Sequence, residues 1–173
     1  MTREELEHAI RAACDITGDT EVYVFGSQSI LAQIPDPPST LAMSAEADVC
    51  PKTKRNRVEN LNSIGEGSLF HRTYGYYVHG FPIEDTTLPR NWAMRTVPLR
   101  LTSGTGLCVE MHDVAASKLV AFREKDRAFV RVLLLEELLK PRTLISRIRL
   151  LPKPAKDRER LVVWVDKTVR GAD

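Results

Sequence analysis

No apolar run in this chain approaches the roughly 20 residues that cross a bilayer, so a membrane span is not expected. Cysteine is scarce: Cys14, Cys50 and Cys108 are odd in number, widely separated and without a C-x-x-C pair. That argues against a disulfide framework and for free thiols in a reducing compartment. The four histidines, His8, His71, His79 and His112, show no ligand spacing with those cysteines, which removes the usual structural zinc patterns. Internal repeats and low-complexity segments are missing. The opening MTREELEHAI is acidic and polar, unlike a secretory signal, so the expected location is the cytoplasm.

What is present fits a globular protein. The 173 residues suffice for one domain, or one domain with a helical appendage, and 43% hydrophobic with 28% charged residues is ordinary. The net charge of +2 conceals an asymmetry: residues 1–50 hold two Lys/Arg against nine Asp/Glu, while 140–173 hold ten against four. A basic C-terminal part suits a polyanion such as RNA, although solvated helix faces produce the same bias.

Apolar spacing predicts a helix over Glu4–Ile16, closed by Thr17-Gly18-Asp19, and a strand over Glu21–Phe25. Ile34–Thr40 holds three prolines and reads as loop, followed by a strand over Glu46–Val49. Arg55–Ile64 reads as a short helix. Strands are expected over Arg72–Val78, Val97–Leu101 and Leu107–Met111, the last two joined by a turn at Thr102–Gly106. A helix capped by Asp113 is expected to reach about Lys125, then helices over Phe129–Leu139 (stopped by Pro141), Thr143–Leu150 and Glu159–Thr168. The order implies an α+β fold: a mixed sheet in residues 1–112 and a helical C-terminal part, 113–173, packed on it as one compact unit.

Two features carry chemistry. The first strand runs into Gly26-Ser27, which opens a helix-like stretch whose free backbone N–H groups would suit a phosphate. Downstream, Glu46 and Asp48 sit at i and i+2, so on a strand both carboxylates share one face, as a cation carrying substrate phosphates requires. Gly-Ser after a strand is by itself an ordinary turn, and a Glu-x-Asp pair an ordinary strand edge. The order in which they come is what points to a nucleotide. Further on, Val114, Lys118, Ala121, Phe122 and Lys125 fall within an arc of about 100° on a helix, placing Lys118 inside the apolar face. Such a lysine either snorkels outward or serves as a point charge on a triphosphate, with Arg123, Asp126 and Arg127 near enough to orient it.

The segments VFGSQSILAQ, SAEADVCP, NSIGEGSLFH, RTYGYYVHG, LPRNW and HDVAASKLVAFREKDRAFV together resemble small bacterial nucleotidyltransferase-like proteins of the DNA polymerase β-type minimal fold, related to AbiEii/MenT-type toxins. The resemblance covers roughly residues 4–150. It implies a polymerase β-like core in which Gly26 and Ser27 contact the terminal phosphates and Glu46 and Asp48 bind Mg²⁺, with Mn²⁺ as the alternative. It implies further that Lys118 holds the triphosphate and that Asp126 is the acidic residue after it. Ser44, two residues before Glu46, matches a position where phosphorylation would oppose nucleotide binding.

This sequence departs from the pattern in having Glu at the first metal position, in a long loop between Ser27 and Glu46, and in lacking an obvious third carboxylate. Glu84 is favoured for that role over Asp85 and Glu110. The activity implied is nucleotide transfer from an NTP, CTP or ATP favoured, to the 3′ end of an RNA. The acceptor favoured is tRNA, gripped by basic residues including Arg147, Arg149, Lys153, Lys156, Arg158 and Arg160. A toxin–antitoxin context, with an antitoxin partner, goes with that resemblance. A small-molecule nucleotidyltransferase and a catalytically inactive nucleotidyltransferase-like binding module remain the alternatives.

Overall fold

A computed structural model describes residues 1–171, which divide into two compact units. The first comprises residues 1–85 and 95–110, the second residues 86–94 and the helical remainder from residue 111.

The first unit opens with α1, Arg3–Thr17. Thr2 and Glu5 form a reciprocal capping box, and Gly18 ends the helix in a left-handed conformation at φ 64°. Five strands follow: β1 Glu21–Phe25, β2 Glu46–Pro51, β3 Tyr77–Gly80, β4 Val97–Leu101 and β5 Gly104–Cys108. They form one mixed sheet in the order β3-β2-β1-β5-β4. β1 pairs antiparallel with β2 and parallel with β5, β2 pairs parallel with β3, and β4–β5 is an antiparallel hairpin.

Leu6, Ile10 and Ala13 of α1 pack with Val22, Val24, Ala47, Val49 and Val78 in one core, which sets the apolar face of the sheet. The approach is close at β5, where a Cβ on Gly106 would lie 2.5 Å from Ile10 Cδ1. By strand alternation, the residues between those valines turn to the opposite face: Glu46 and Asp48 on β2, Tyr77 and His79 on β3. A 3₁₀ helix over Arg55–Ile64 contributes Leu61 and Ile64 to the core.

Several expected elements differ. Arg72–Tyr74 is the end of a short helix, α2, Leu69–Tyr74, and Gly75 at φ 80° turns the chain into β3. Ser68 caps this helix through the His71 N–H, a local signal that outweighs the β-like aromatics of RTYGYYV. Tyr76, just before β3, is tied back to α1 through a hydrogen bond with His8 and to α2 through a T-shaped contact with Phe70. The turn of the last hairpin is confined to Thr102-Ser103, so β5 begins at Gly104. The helix expected after Gly26 is a six-residue 3₁₀ helix, Ser27–Ala32, lacking the aligned dipole of a longer α-helix.

The second unit holds α3 Met111–Ala121, α4 Glu124–Leu135, α5 Pro141–Arg149 and α6 Ala155–Arg170. The expected helix to Lys125 stops at Phe122, whose φ of 52° is left-handed, and α4 starts two residues later. The helix expected over Phe129–Leu139 is the later part of α4, which ends at Leu135, so Pro141 does not stop it but begins α5, as its missing N–H permits at a first helical position. Asp113 lies inside α3, fully buried, and is no cap: its Oδ1 is 3.1 Å from Arg147 Nε. His112 Nε2 accepts a hydrogen bond from the Lys140 N–H, fixing the start of α5.

Candidate functional site

The site grows from strand register. Phe25 faces Asp48 across β1–β2, and Asp48 faces His79 across β2–β3, so one row runs Phe25, Asp48, His79 on the face away from α1. Glu46 stands one pleat along the same face. His79 Nδ1 is 3.0 Å from Asp48 Oδ1 and 3.2 Å from Glu46 Oε1. A carboxylate oxygen can only accept, so Nδ1 carries the proton in this arrangement. Phe81 borders the histidine, with ring centroids 5.9 Å apart.

Where β1 ends, the chain turns through Gly26 at φ 67°, and a Cβ there would stand 2.6 Å from Asp48 Oδ2. The Gly-Ser turn and the carboxylate pair are therefore in direct contact. Just after the turn, Ser29 donates its hydroxyl to Gly26 O, and Gln28 Nε2 donates to Ser44 O, tying the turn to the segment before β2. The buried Gln28 Oε1 has no hydrogen-bond partner among the described residues. Ser44 Oγ accepts the Glu46 N–H at 3.2 Å, so this hydroxyl fixes the entry to β2.

Glu46, Asp48 and His79 offer ligand atoms that all lie within 4.8 Å of one another. Two ligands at right angles on bonds of about 2.1 Å are about 3.0 Å apart, close to the spacing of His79 Nδ1 from each carboxylate, and Nδ1 would have to give up its proton to bind an ion. The donor set therefore fits a divalent cation. Their side chains are between 30% (Asp48) and 49% (His79) exposed, so an ion can enter from solvent. Two carboxylates alone suit Mg²⁺, whereas adding an imidazole suits a softer ion such as Mn²⁺.

Of the expected residues, the structure brings together Gly26, Glu46 and Asp48, with Ser27 and Ser44 adjacent in the chain. The third member of the cluster is His79, not Glu84. Glu84 is exposed in a 3₁₀ turn, Ile83–Asp85, beyond the end of β3. Its charge is felt at Cys50, whose thiol is pushed up by burial first and by Glu84 in addition. His79 escaped the sequence reading because the third strand was drawn to Val78, one residue short. The alternation Tyr77, Val78, His79 is the only local signal, and it carries no information on which strand lies alongside.

Lys118 and Asp126 belong to the second unit and do meet there. Lys118 Nζ is 3.6 Å from Asp126 Oδ1 and lies over the Phe129 ring at 4.7 Å. Asp126 is buried and takes a 2.6 Å hydrogen bond from Arg123 Nε. That bond, with the Asp126 charge behind it, raises the Arg123 pKa. Of the basic residues expected to grip RNA, Arg147 is turned inward onto Asp113, while Arg149 and Lys156 are exposed and Lys153 half-buried. The three cysteines are buried and free; burial lifts Cys14 to about 11 and Cys108 to about 12, leaving unreactive thiols.

Fold and site together define an α+β protein that carries a carboxylate–histidine cluster on the open face of a five-stranded mixed sheet. Compared with family models, curated proteins and solved structures, the chain matches none. No helix among the described residues is long and apolar enough to cross a membrane.

Proposed function

We propose that this protein is a divalent-metal-dependent nucleotidyltransferase of the polymerase β type, moving a nucleotide from an NTP to the 3′ end of an RNA such as tRNA. The observation that carries the reading is the contact between the Gly26 turn and the Asp48 carboxylate. A phosphate held at Gly26-Ser27 would share its cation with Glu46 and Asp48, the pairing that phosphoryl transfer uses.

Glu46 and Asp48 would hold the cation, with His79 as a further ligand or as the hydrogen-bond donor that orients them. Bound there, Mg²⁺ or Mn²⁺ supplies charge neutralisation for the triphosphate. Ser27 and the backbone N–H groups beside it take the terminal phosphates. The 3′-hydroxyl oxygen of the acceptor forms the new bond to the α-phosphorus, the α–β bridging P–O bond breaks, and pyrophosphate departs with that electron pair. The hydroxyl proton passes to water. Lys118, held by Asp126, is assigned to the triphosphate by the family resemblance alone. Phosphate on Ser44 would remove the hydroxyl that orders Glu46 and set negative charge beside the cluster.

A second reading has an observation of its own. His79 Nδ1 lies within hydrogen-bond or ion-pair reach of both carboxylates, and the Ser27 helix is short and 3₁₀. Both suit a binding module that has the core and lacks the chemistry. Calorimetric titration with Mg²⁺ or Mn²⁺ plus CTP or ATP, on the wild type and on Asp48→Ala, separates them. Saturable nucleotide binding that needs both metal and Asp48 favours the transferase; binding of neither leaves the module.

A further inference from the structure

The second unit carries a ladder of rings and guanidiniums that the proposed chemistry does not use. At the break between α3 and α4, Phe122 takes a φ of 52°, a conformation that bulky side chains rarely adopt. Its ring stays partly exposed. Two arginines approach it from different helices: the Arg127 guanidinium carbon is 5.0 Å from the centroid, the Arg160 carbon 5.2 Å. Trp164 meets the same ring edge-on, centroids 6.1 Å apart, and carries Arg131 over its own face at 5.9 Å.

A guanidinium held against a ring is pre-ordered and keeps N–H donors for another partner. Neither Arg127 nor Arg160 makes an ion pair among the described residues, in contrast to Arg123 and Arg147, which are paired with Asp126 and Asp113. Arg160 also borders a depression of about 130 Å³ shared with Lys153 and Asp157. The Arg127 and Arg160 guanidiniums, held against an aromatic ring and outside any ion pair among the described residues, match the two demands of a flexible nucleic acid: phosphates to neutralise and planar groups on which bases stack.

We infer that the Phe122–Trp164 ladder, with Arg127 and Arg160, is an RNA-binding surface that grips single-stranded or end-frayed RNA through phosphate contacts and base stacking. This gives the acceptor its contact residues and rests on the proposal that the acceptor is RNA. It shifts the contact from Arg147, whose charge is held by Asp113, to the α3–α4 junction and the middle of α6.

The test is fluorescence anisotropy of labelled total tRNA and of a labelled 12-nucleotide RNA with the full chain in EDTA. EDTA removes metal and with it any nucleotide chemistry. KCl is varied, and R127A/R160A, R127K/R160K and the charge-matched R142A/R149A are run beside the wild type, each checked by thermal unfolding. The expected result is a loss of about 10-fold or more for R127A/R160A and a log–log salt slope shallower by about 1.4, two single-strand phosphate contacts. The lysine pair should retain the slope and bind less tightly, because an ammonium keeps the charge and loses the planar stack. The lysine pair also decides the matter if the alanine pair fails to fold.

Wild-type binding that R127A/R160A and R142A/R149A weaken equally would overturn the assignment and leave an RNA acceptor standing. Equal competition by polyglutamate would overturn it in favour of an acidic protein partner. No RNA binding by the wild type would overturn it too, without touching metal and nucleotide binding by the first unit.

Discussion

Gly26 and Asp48 are locked together: the glycine follows β1 at φ 67° and ψ −161°, a region essentially reserved for glycine, and the space a Cβ would need there is filled by the Asp48 carboxylate, 2.6 Å away. Gly26→Ala must therefore strain the turn, at a cost of about 1–3 kcal/mol, and push the carboxylate off its line. The expected outcome is a lowered melting temperature together with metal affinity reduced by at least about 10-fold, an order-of-magnitude figure for a displaced ligand. Calorimetric titration with Mn²⁺ reads the second effect. A variant that melts lower and binds the ion unchanged would show that Asp48 is not a ligand.

His79 should set which ion is preferred. Its Nδ1 stands at ligand spacing from both carboxylates, and imidazole favours Mn²⁺ over Mg²⁺. His79→Ala is expected to cost Mn²⁺ about 10-fold or more in affinity and Mg²⁺ little. Equal losses for the two ions would mean that His79 only orients the carboxylates.

Asp19 should give the first unit an acid-sensitive clasp. It accepts hydrogen bonds from the N–H groups of Thr53 (2.7 Å) and Lys54 (2.9 Å) and from the Thr53 hydroxyl, tying the loop after β2 to the entry of β1. Burial alone would raise its pKa, but these bonds, with one from the Glu21 N–H, hold it below the usual carboxylate value. A folded pKa below the unfolded one means stability that is complete above about pH 5 and is lost as pH falls through the folded value. The stability gap between wild type and Asp19→Asn in urea should be constant from pH 7 to about 5 and close below about pH 4. A gap that widens with acid would contradict the clasp.

Arg147 should matter for folding and not for RNA. Its partner Asp113 is fully buried, and the Nε–Oδ1 approach of 3.1 Å is an ion pair without the alignment of a hydrogen bond through Nε. Arg147→Ala removes the ion-pair partner of a buried carboxylate and is expected to cost about 3 kcal/mol in urea unfolding. Adding Asp113→Ala should recover part of that loss. Additive costs in the double variant would mean the pair is not coupled.

Much of the first unit was legible because its signals are local. β1 and β4 fall where the β-branched and aromatic runs put them, and Gly18 ends α1 as expected. The carboxylates of Glu46 and Asp48 share a face because a strand has period two. What the sequence hid is non-local. That β3 lies beside β2, bringing His79 between the two carboxylates, depends on strand order, and no spacing in the chain encodes it. Glu84 looked equally eligible in sequence and lies beyond the strand end. In the second unit, the break at Phe122 followed from neither Gly nor Pro, so the apolar arc drawn through Lys118 and Lys125 joined two different helices.

The most direct measurement incubates the purified protein with total tRNA, Mg²⁺ or Mn²⁺ and each α-labelled NTP in turn, with Asp48→Ala alongside. The account expects label on the tRNA 3′ end from one nucleotide, with CTP or ATP favoured, and none with Asp48→Ala. No label from any nucleotide with a folded wild type, or label that persists without Asp48, would contradict it.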